Sequence, residues 1–340
     1  MPLGLAVAAS YSPLLYRPRH QWKAINQLLV GSVPQPYQAT LEETDEVLDQ
    51  YAERIESAFS ALREQLEQYR PDALIVLACD QGRMFNESHT PQVHVHVGSE
   101  IWGSTRYTDL GEDESPSARV TIPCHEELAE WLVRDIIFDG IDANQSRGQF
   151  NPLGDPVGGV SHTLTDPLLT LLPQLDVPIV PVHLNAHVDP AITGHRLRLL
   201  GRIIGQSLQE RPDRIAILAS GGLSGHPRGY VAGWIDEKLD DWVLYWLRRG
   251  RSERLETLWD QDSYILRGST REIRTWLVAG AAMEVTGAKA TIVDYIPFSH
   301  AAVGTAFAYW AAPAYIEAEG PVAARAFASQ PRTRTPAPAV

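Results

Sequence analysis

The segment IAILASGGLSGH, Ile215 to His226, sets the strongest limit on the fold. Its first five residues are all apolar and show none of the polar alternation of a half-exposed strand. A strand written this way is buried on both faces, the setting of a parallel sheet covered by helices. Comparable runs occur at Leu3–Ala9, Ala73–Ala78, Ile179–Leu184 and Thr291–Tyr295, beside Arg214–Ala219 itself. Helical patterns fall at Glu43–Gln68, Glu126–Phe138, Gly194–Glu210, Ile235–Arg248 and Arg271–Val285. In the first of these, Val47, Tyr51, Ile55, Phe59 and Leu62 recur at spacings of three and four and draw one apolar stripe. The alternation predicts an α/β fold, a central mixed sheet flanked by helices. No linker rich in Pro, Gly or Ser divides the chain, so residues 1–319 are expected to form one domain. Residues 320–340, GPVAARAFASQPRTRTPAPAV, have the composition of a disordered tail.

The formal net charge of −13 argues against a nucleic-acid or anionic-membrane partner. Two cysteines, Cys79 and Cys124, are too few for a disulfide framework and fit a reducing cytoplasm. No apolar run reaches membrane-spanning length. The N-terminal MPLGLAVAASYSP lacks a basic leader and reads as a first strand rather than a signal peptide.

Polar clusters follow the apolar runs. They are Ser10-Tyr11-Ser12-Pro13, Cys79-Asp80-Gln81, Gly158-Gly159-Val160-Ser161-His162 and the stretch Ser220–His226. A fifth, RGSTREIRTW, opens a helix and carries Glu272 in its first turn. Singly, each has an ordinary reading: a turn ahead of Pro13, a polar strand end, a carboxylate complementing a helix dipole. Together they sit where ligands bind in open α/β sheets, beyond the carboxyl ends of strands. The glycines after Ala219 would keep that strand end thin enough for a flat ligand to lie against the backbone.

The order and wording of these clusters, from SYSP through CDQ, VSHTLTDPL and SGGLS to STREIRTW, resembles the class III extradiol ring-cleavage dioxygenases, over about residues 1 to 310. The resemblance implies an α/β sandwich and a catechol-like substrate opened next to its hydroxyl pair with O₂. It also implies Fe(II) on two histidines and one glutamate, which leave coordination positions open for substrate. Carried over residue by residue, the carboxylate ligand falls on Glu272. The two histidine ligand positions hold Tyr11 and Gln81 instead. One histidine near the metal is retained as His162. The base histidine, expected directly after GGLS, is replaced by Gly225, with His226 one place later. His162, His226, Tyr11 and Glu272 are therefore the expected catalytic group, with Gln81, Gly222, Ser224 and His300 as substrate contacts. A Tyr/Gln/Glu set is expected to bind a divalent metal weakly or not at all.

Other histidines could rebuild a ligand set: His89, His94 and His96, or His183 and His187 in HLNAH, or His300. The ordinary expectation for His94 and His96 is a pair on one strand face, satisfied by solvent. Three functions stay open at this point. One is an altered ring-cleaving dioxygenase acting on a small hydroxylated aromatic compound. Another is a metal-independent enzyme on the same scaffold, a C–C hydrolase, decarboxylase or isomerase. The third is a non-catalytic subunit with an active partner. The resemblance also implies a homo-oligomer, for which Trp102, Trp234, Trp242 and Trp246 are candidate interface or pocket-wall residues.

Overall fold

The computed structural model describes residues 2–31, 37–86, 89–149 and 158–319; the expected tail at 320–340 lies outside them. The strands are β1 (Leu3–Ala9), β2 (Ala73–Ala78), β3 (Val93–His96), β4 (Glu100–Ser104), β5 (Arg119–Pro123), β6 (Asn144–Ser146), β7 (Ile179–Leu184), β8 (Ile215–Ser220), β9 (Ala290–Phe298) and β10 (Val303–Ala311). The helices are α1 (Trp22–Val30), α2 (Gln38–Glu42), α3 (Asp45–Tyr69), α4 (Glu126–Phe138), α5 (His162–Leu171), α6 (Gly194–Gln209), α7 (Glu237–Leu247), α8 (Ile273–Glu284) and α9 (Pro313–Glu319). Eight strands form one sheet in the order β6-β3-β7-β2-β8-β1-β10-β9, while β4 and β5 pair separately. The sheet is mixed and flanked by helices, as the alternation of runs predicts.

The four central strands, β7, β2, β8 and β1, run parallel. Every residue of these four is buried. That is why they read as continuous apolar runs: α3 and α5 pack against the sheet on one side, α6 and α8 on the other. Each fully buried Leu, Ile or Val there contributes roughly 1.5–3 kcal/mol over its exposed state. The antiparallel strands β10 and β9 extend the sheet beyond β1. Helix α3 is capped by Thr44, whose hydroxyl accepts the Val47 amide, and buries Leu48, Ile55, Phe59, Leu62 and Leu66.

One expectation about the histidines is overturned. His94 and His96 are not solvent-exposed, because β3 is an interior strand, between β6 and β7 and beneath α4. His94 is held by Asn144 at 2.8 Å and Ser146 at 3.1 Å, and His96 by the Glu100 carbonyl at 2.8 Å. Their neighbour His183, in β7, has no hydrogen-bond partner at either ring nitrogen among the described residues. It packs edge-on against Phe85 and lies 6.1 Å from the His94 ring. Burial drives its pKa down to about 3, helped by His94 and His96, so it is neutral in the fold.

An unpaired buried polar ring costs on the order of 1–3 kcal/mol. His183→Leu is therefore expected to stabilise the protein by that order at pH 7. The unfolded chain takes up the His183 proton near pH 6.5, whereas the native state resists it to about pH 3. The unmodified protein thus loses further stability as pH falls through that window, and the variant does not. Denaturant unfolding at pH 7 and pH 5 checks both parts: the variant's advantage must be present and must widen at the lower pH.

Candidate functional site

The four parallel strands end at one edge of the sheet, and three of the loops leaving them deliver polar side chains to a common point. Tyr11 follows β1 by two residues. Its loop is fixed by Ser12, whose hydroxyl donates to the Ala301 carbonyl at 2.9 Å, and by the Tyr16 hydroxyl, which donates to the Ser10 carbonyl at 2.6 Å. Gln81 follows β2. The preceding Asp80 accepts the backbone amides of Gly82, Met84 and Phe85 at 3.0–3.1 Å, which curls the chain into a tight turn and presents Gln81 at its start. His187 follows β7, in a loop closed by the Asn185 side chain on Val188 and held from outside by Arg271 on the His187 carbonyl. Glu272 ends the short 3₁₀ turn that leads into α8.

These side chains form one hydrogen-bonded cluster. The Gln81 amide donates to the Tyr11 hydroxyl at 3.1 Å and to Glu272 Oε1 at 3.2 Å. His187 Nε2 lies 2.5 Å from the same Glu272 oxygen. Glu272 is fully buried, and the Gly222 backbone amide also reaches its carboxylate. Burial raises its carboxyl pKa above the ordinary value, against the pull of His187 and Gln81. Burial also pushes the Tyr11 phenol well above its usual value, and the charge of Glu272 adds to the shift.

Beside the cluster lies a cavity of about 120 Å³, lined by Tyr11, Gln81, Arg83, Tyr107, His162 and Ser269 among others. His162 is the first residue of α5, a helix capped by Ser161. The neighbouring Thr163 hydroxyl donates to the Cys79 carbonyl at 2.8 Å, which ties this helix start to the end of β2. The His162 ring sits 5.8 Å from Tyr11 and 5.3 Å from Tyr107, and none of the hydrogen bonds among the described residues involves it. Burial lowers its pKa to about 3, and the charges of Arg17 and Arg83 act in the same direction. It therefore faces the cavity as a neutral imidazole. The exposed Arg228 lies at the rim and takes part in no ion pair among the described residues.

Of the expected group, Tyr11, Gln81 and His162 line the cavity, and Glu272 stands behind it, bonded to Gln81; the others are placed elsewhere. His226 does not line the cavity. Its ring is stacked on Tyr264 at 5.5 Å and lies 6.0 Å from Trp234, while its neighbours Pro227 and Arg228 reach the cavity instead. Gly222 and Ser224 are not cavity residues either. Ser224 accepts the Asp236 amide and donates its own amide to Asp240, so it organises the start of α7. His300 is clamped by Glu43, and only the next residue, Ala301, lines the cavity. The glycines after Ala219 make room for protein rather than ligand. A Cβ on Gly221 would lie 2.3 Å from Thr275 Oγ1, and one on Gly225 would lie 2.4 Å from the Ala302 carbonyl. Of the four candidate tryptophans, none lines the cavity.

His187 was legible only as one of several histidines near strand ends. Its position three residues past an apolar run that ends in the sheet was the available signal. Arg83 and Tyr107 carried no signal of their own, and Ser269 was legible only as part of the cluster RGSTREIRTW.

Residues 33–307 match the family model described as the catalytic LigB subunit of aromatic ring-opening dioxygenase. The chain belongs to the LigB family. A Klebsiella pneumoniae protein named 2,3-dihydroxyphenylpropionate/2,3-dihydroxicinnamic acid 1,2-dioxygenase is 26% identical, over 76% of this chain and 87% of its own length. A protein of the same name from Escherichia coli O139:H28 is 24% identical, over 74% of this chain and 88% of its own. An uncharacterized Escherichia coli K12 protein of known crystal structure shares the fold, with a TM-score of 0.51 at 14% identity, over 90% of this chain and 99% of that one. Among the described residues, no helix is long and apolar enough to cross a membrane.

The donor set departs from the iron triad that the family resemblance implies. Among the described residues, no group of three or more His, Cys, Asp or Glu is arranged to hold a metal ion. The cluster offers one imidazole and one carboxylate, and these are bonded to each other. Gln81 turns its NH₂ end, a donor, toward both neighbours. Tyr11 is held in its protonated form. These four side chains do not fit a two-imidazole, one-carboxylate iron site.

Proposed function

We infer that this LigB-family chain is a diverged aromatic ring-opening dioxygenase-type enzyme whose substrate is a small hydroxylated aromatic compound bound in the cavity beside His162. The observation that carries this reading is His162 itself: a neutral imidazole with no hydrogen bond among the described residues, walled by Tyr11 and Tyr107. A neutral imidazole accepts a hydrogen bond from a substrate hydroxyl and moves its proton. Arg17 and Arg83 oppose a proton on His162 in the empty site. Arg83, which lines the cavity, stabilises an anionic ring oxygen once a substrate is there and offsets part of the cost of forming the imidazolium. Arg228 at the rim complements a carboxylate on the substrate. In this reading Tyr11 and Gln81 act as hydrogen-bonding walls, Glu272 with His187 as a proton-holding pair, and Fe(II) is bound weakly or not at all.

The closed His187–Glu272 contact favours a second reading, acid–base chemistry without a metal on the same kind of substrate. One experiment tests what the two readings share. The purified protein is titrated anaerobically with 2,3-dihydroxyphenylpropionate and protocatechuate while the near-ultraviolet band of the deprotonated catechol is followed. Saturable binding with growth of that band is expected, and His162→Gln should bind with the band at least about tenfold weaker, in keeping with the usual range for a positioned base. An unchanged band in His162→Gln overturns the role of His162. Absence of saturable binding to either compound overturns the substrate assignment and leaves the non-catalytic subunit as the better account.

A further inference from the structure

A second cavity, of about 310 Å³, opens between the loop after β7 and the segment ahead of α8. Arg274, in the first turn of α8, lines it and is only 4% exposed. A buried guanidinium ordinarily has a carboxylate partner, because an unpaired buried charge is costly. Arg274 has none among the described residues. Its Nε donates to the Ile192 carbonyl at 3.1 Å and its Nη1 to the Arg271 carbonyl at 3.0 Å. Its Nη2 has no protein acceptor among the described residues. The guanidinium is stacked 4.1 Å from the Trp259 ring, which fixes its plane. Trp259 also lines the cavity.

The other charges of the cavity are mostly answered. Arg271 pairs with Asp189 at 2.9 Å and Arg267 with Asp262 at 2.7 Å. The exposed Asp260 is in no ion pair among the described residues. One cation of the cavity wall is therefore left without a counter-ion. The planar fork of a guanidinium matches a carboxylate.

We propose that this cavity binds a small organic monocarboxylate, held by Arg274, whose guanidinium is set in place by the Trp259 ring. The proposal uses no residue of the cavity beside His162.

Calorimetric titration of the full chain with sodium benzoate, with inorganic phosphate as the comparison, tests it. Benzoate is expected to bind saturably at millimolar concentration or below. Arg274→Met, which retains an apolar stem against Trp259, should weaken binding at least about tenfold. Arg274→Lys, which keeps the charge and loses the planar fork, should weaken it about threefold, and it serves as the decisive variant if Arg274→Met fails to fold. His162→Gln should leave this binding unchanged. Equal affinity in Arg274→Met, or in Arg274→Lys where the former does not fold, overturns the proposal, as does loss of the signal in His162→Gln, which would place benzoate in the other cavity. Binding of phosphate without benzoate overturns the carboxylate assignment. Binding that appears only in Asp260→Asn means that Asp260 is already the counter-ion, and that too overturns it.

Discussion

Tyr11→His combined with Gln81→His is expected to raise the affinity of the protein for Fe(II) by at least about 100-fold, since loss of even an outer partner of a metal ligand costs 10–100-fold. The two positions flank Glu272 across the Gln81 amide, at 3.1 Å and 3.2 Å, so imidazoles placed there would face the carboxylate. Two changes of chemistry are made at once. A phenol held in its protonated form gives way to a neutral nitrogen donor, and an amide that presents hydrogens gives way to one that presents a lone pair. Anaerobic titration with Fe(II), followed by elemental analysis of desalted protein, measures the change. Stoichiometric iron retained by the unmodified protein would show that the phenol, the amide and His187 suffice as ligands, and would overturn the account of the site given above. Ring cleavage is not expected to return with the metal, because His226 is stacked between aromatic rings away from the cavity.

Glu43→Ala should be among the most damaging single substitutions outside the central strands. The buried Glu43 carboxylate accepts the Ser299 amide at 2.6 Å, the His300 amide at 2.8 Å and the His300 ring Nδ1 at 2.5 Å. Removing it strands three donors in a region without solvent, at roughly 1–3 kcal/mol each. A loss of more than about 3 kcal/mol is expected on that basis. Glu43→Gln, which keeps an acceptor oxygen, should cost less. The same segment carries Ala301, whose carbonyl receives the Ser12 hydroxyl next to Tyr11. Loosening it should therefore also weaken ligand binding in the cavity beside His162. A Glu43→Ala protein that unfolds within about 0.5 kcal/mol of the parent, the range of ordinary surface changes, would show that His300 is not anchored by this carboxylate.

The sheet was legible where burial on both faces wrote itself as an unbroken apolar run. β1, β2 and β7 begin and end where those runs do. β9 proved longer than Thr291–Tyr295, because its antiparallel partner β10 pairs with it along nearly its whole length. β10, VGTAFAYWA, was missed: small residues give it a weak β signal, and its burial is supplied by strands far away in sequence. Helix α5 was hidden by Pro167. A proline lacks the amide that would satisfy Thr163, four residues back, and here the Ser220 hydroxyl at the end of β8 donates to the Thr163 carbonyl instead. No local reading of the sequence supplies that compensation. The site divides in the same way. Tyr11, Gln81, His162 and Glu272 could be placed because each stands beside an element boundary. His226 could not, because one residue of displacement in a loop turned its ring from the cavity to a slot between Tyr264 and Trp234, and stacking partners leave no periodic trace.

The turn after β2 has a consequence for how such a protein changes its chemistry over time. Asp80, not Gln81, supplies the bonds that shape the loop, by gathering three backbone amides onto one carboxylate. Ser12 and Tyr16 do the same for the loop that carries Tyr11. The side chains that face the ligand are thus relieved of holding the backbone. A donor can be exchanged at either position at little cost to folding, so selection is free to discard one reaction and try another while the frame stays as it was. Lineages built on this frame should vary most at the residue just after each anchor and least at the anchor itself.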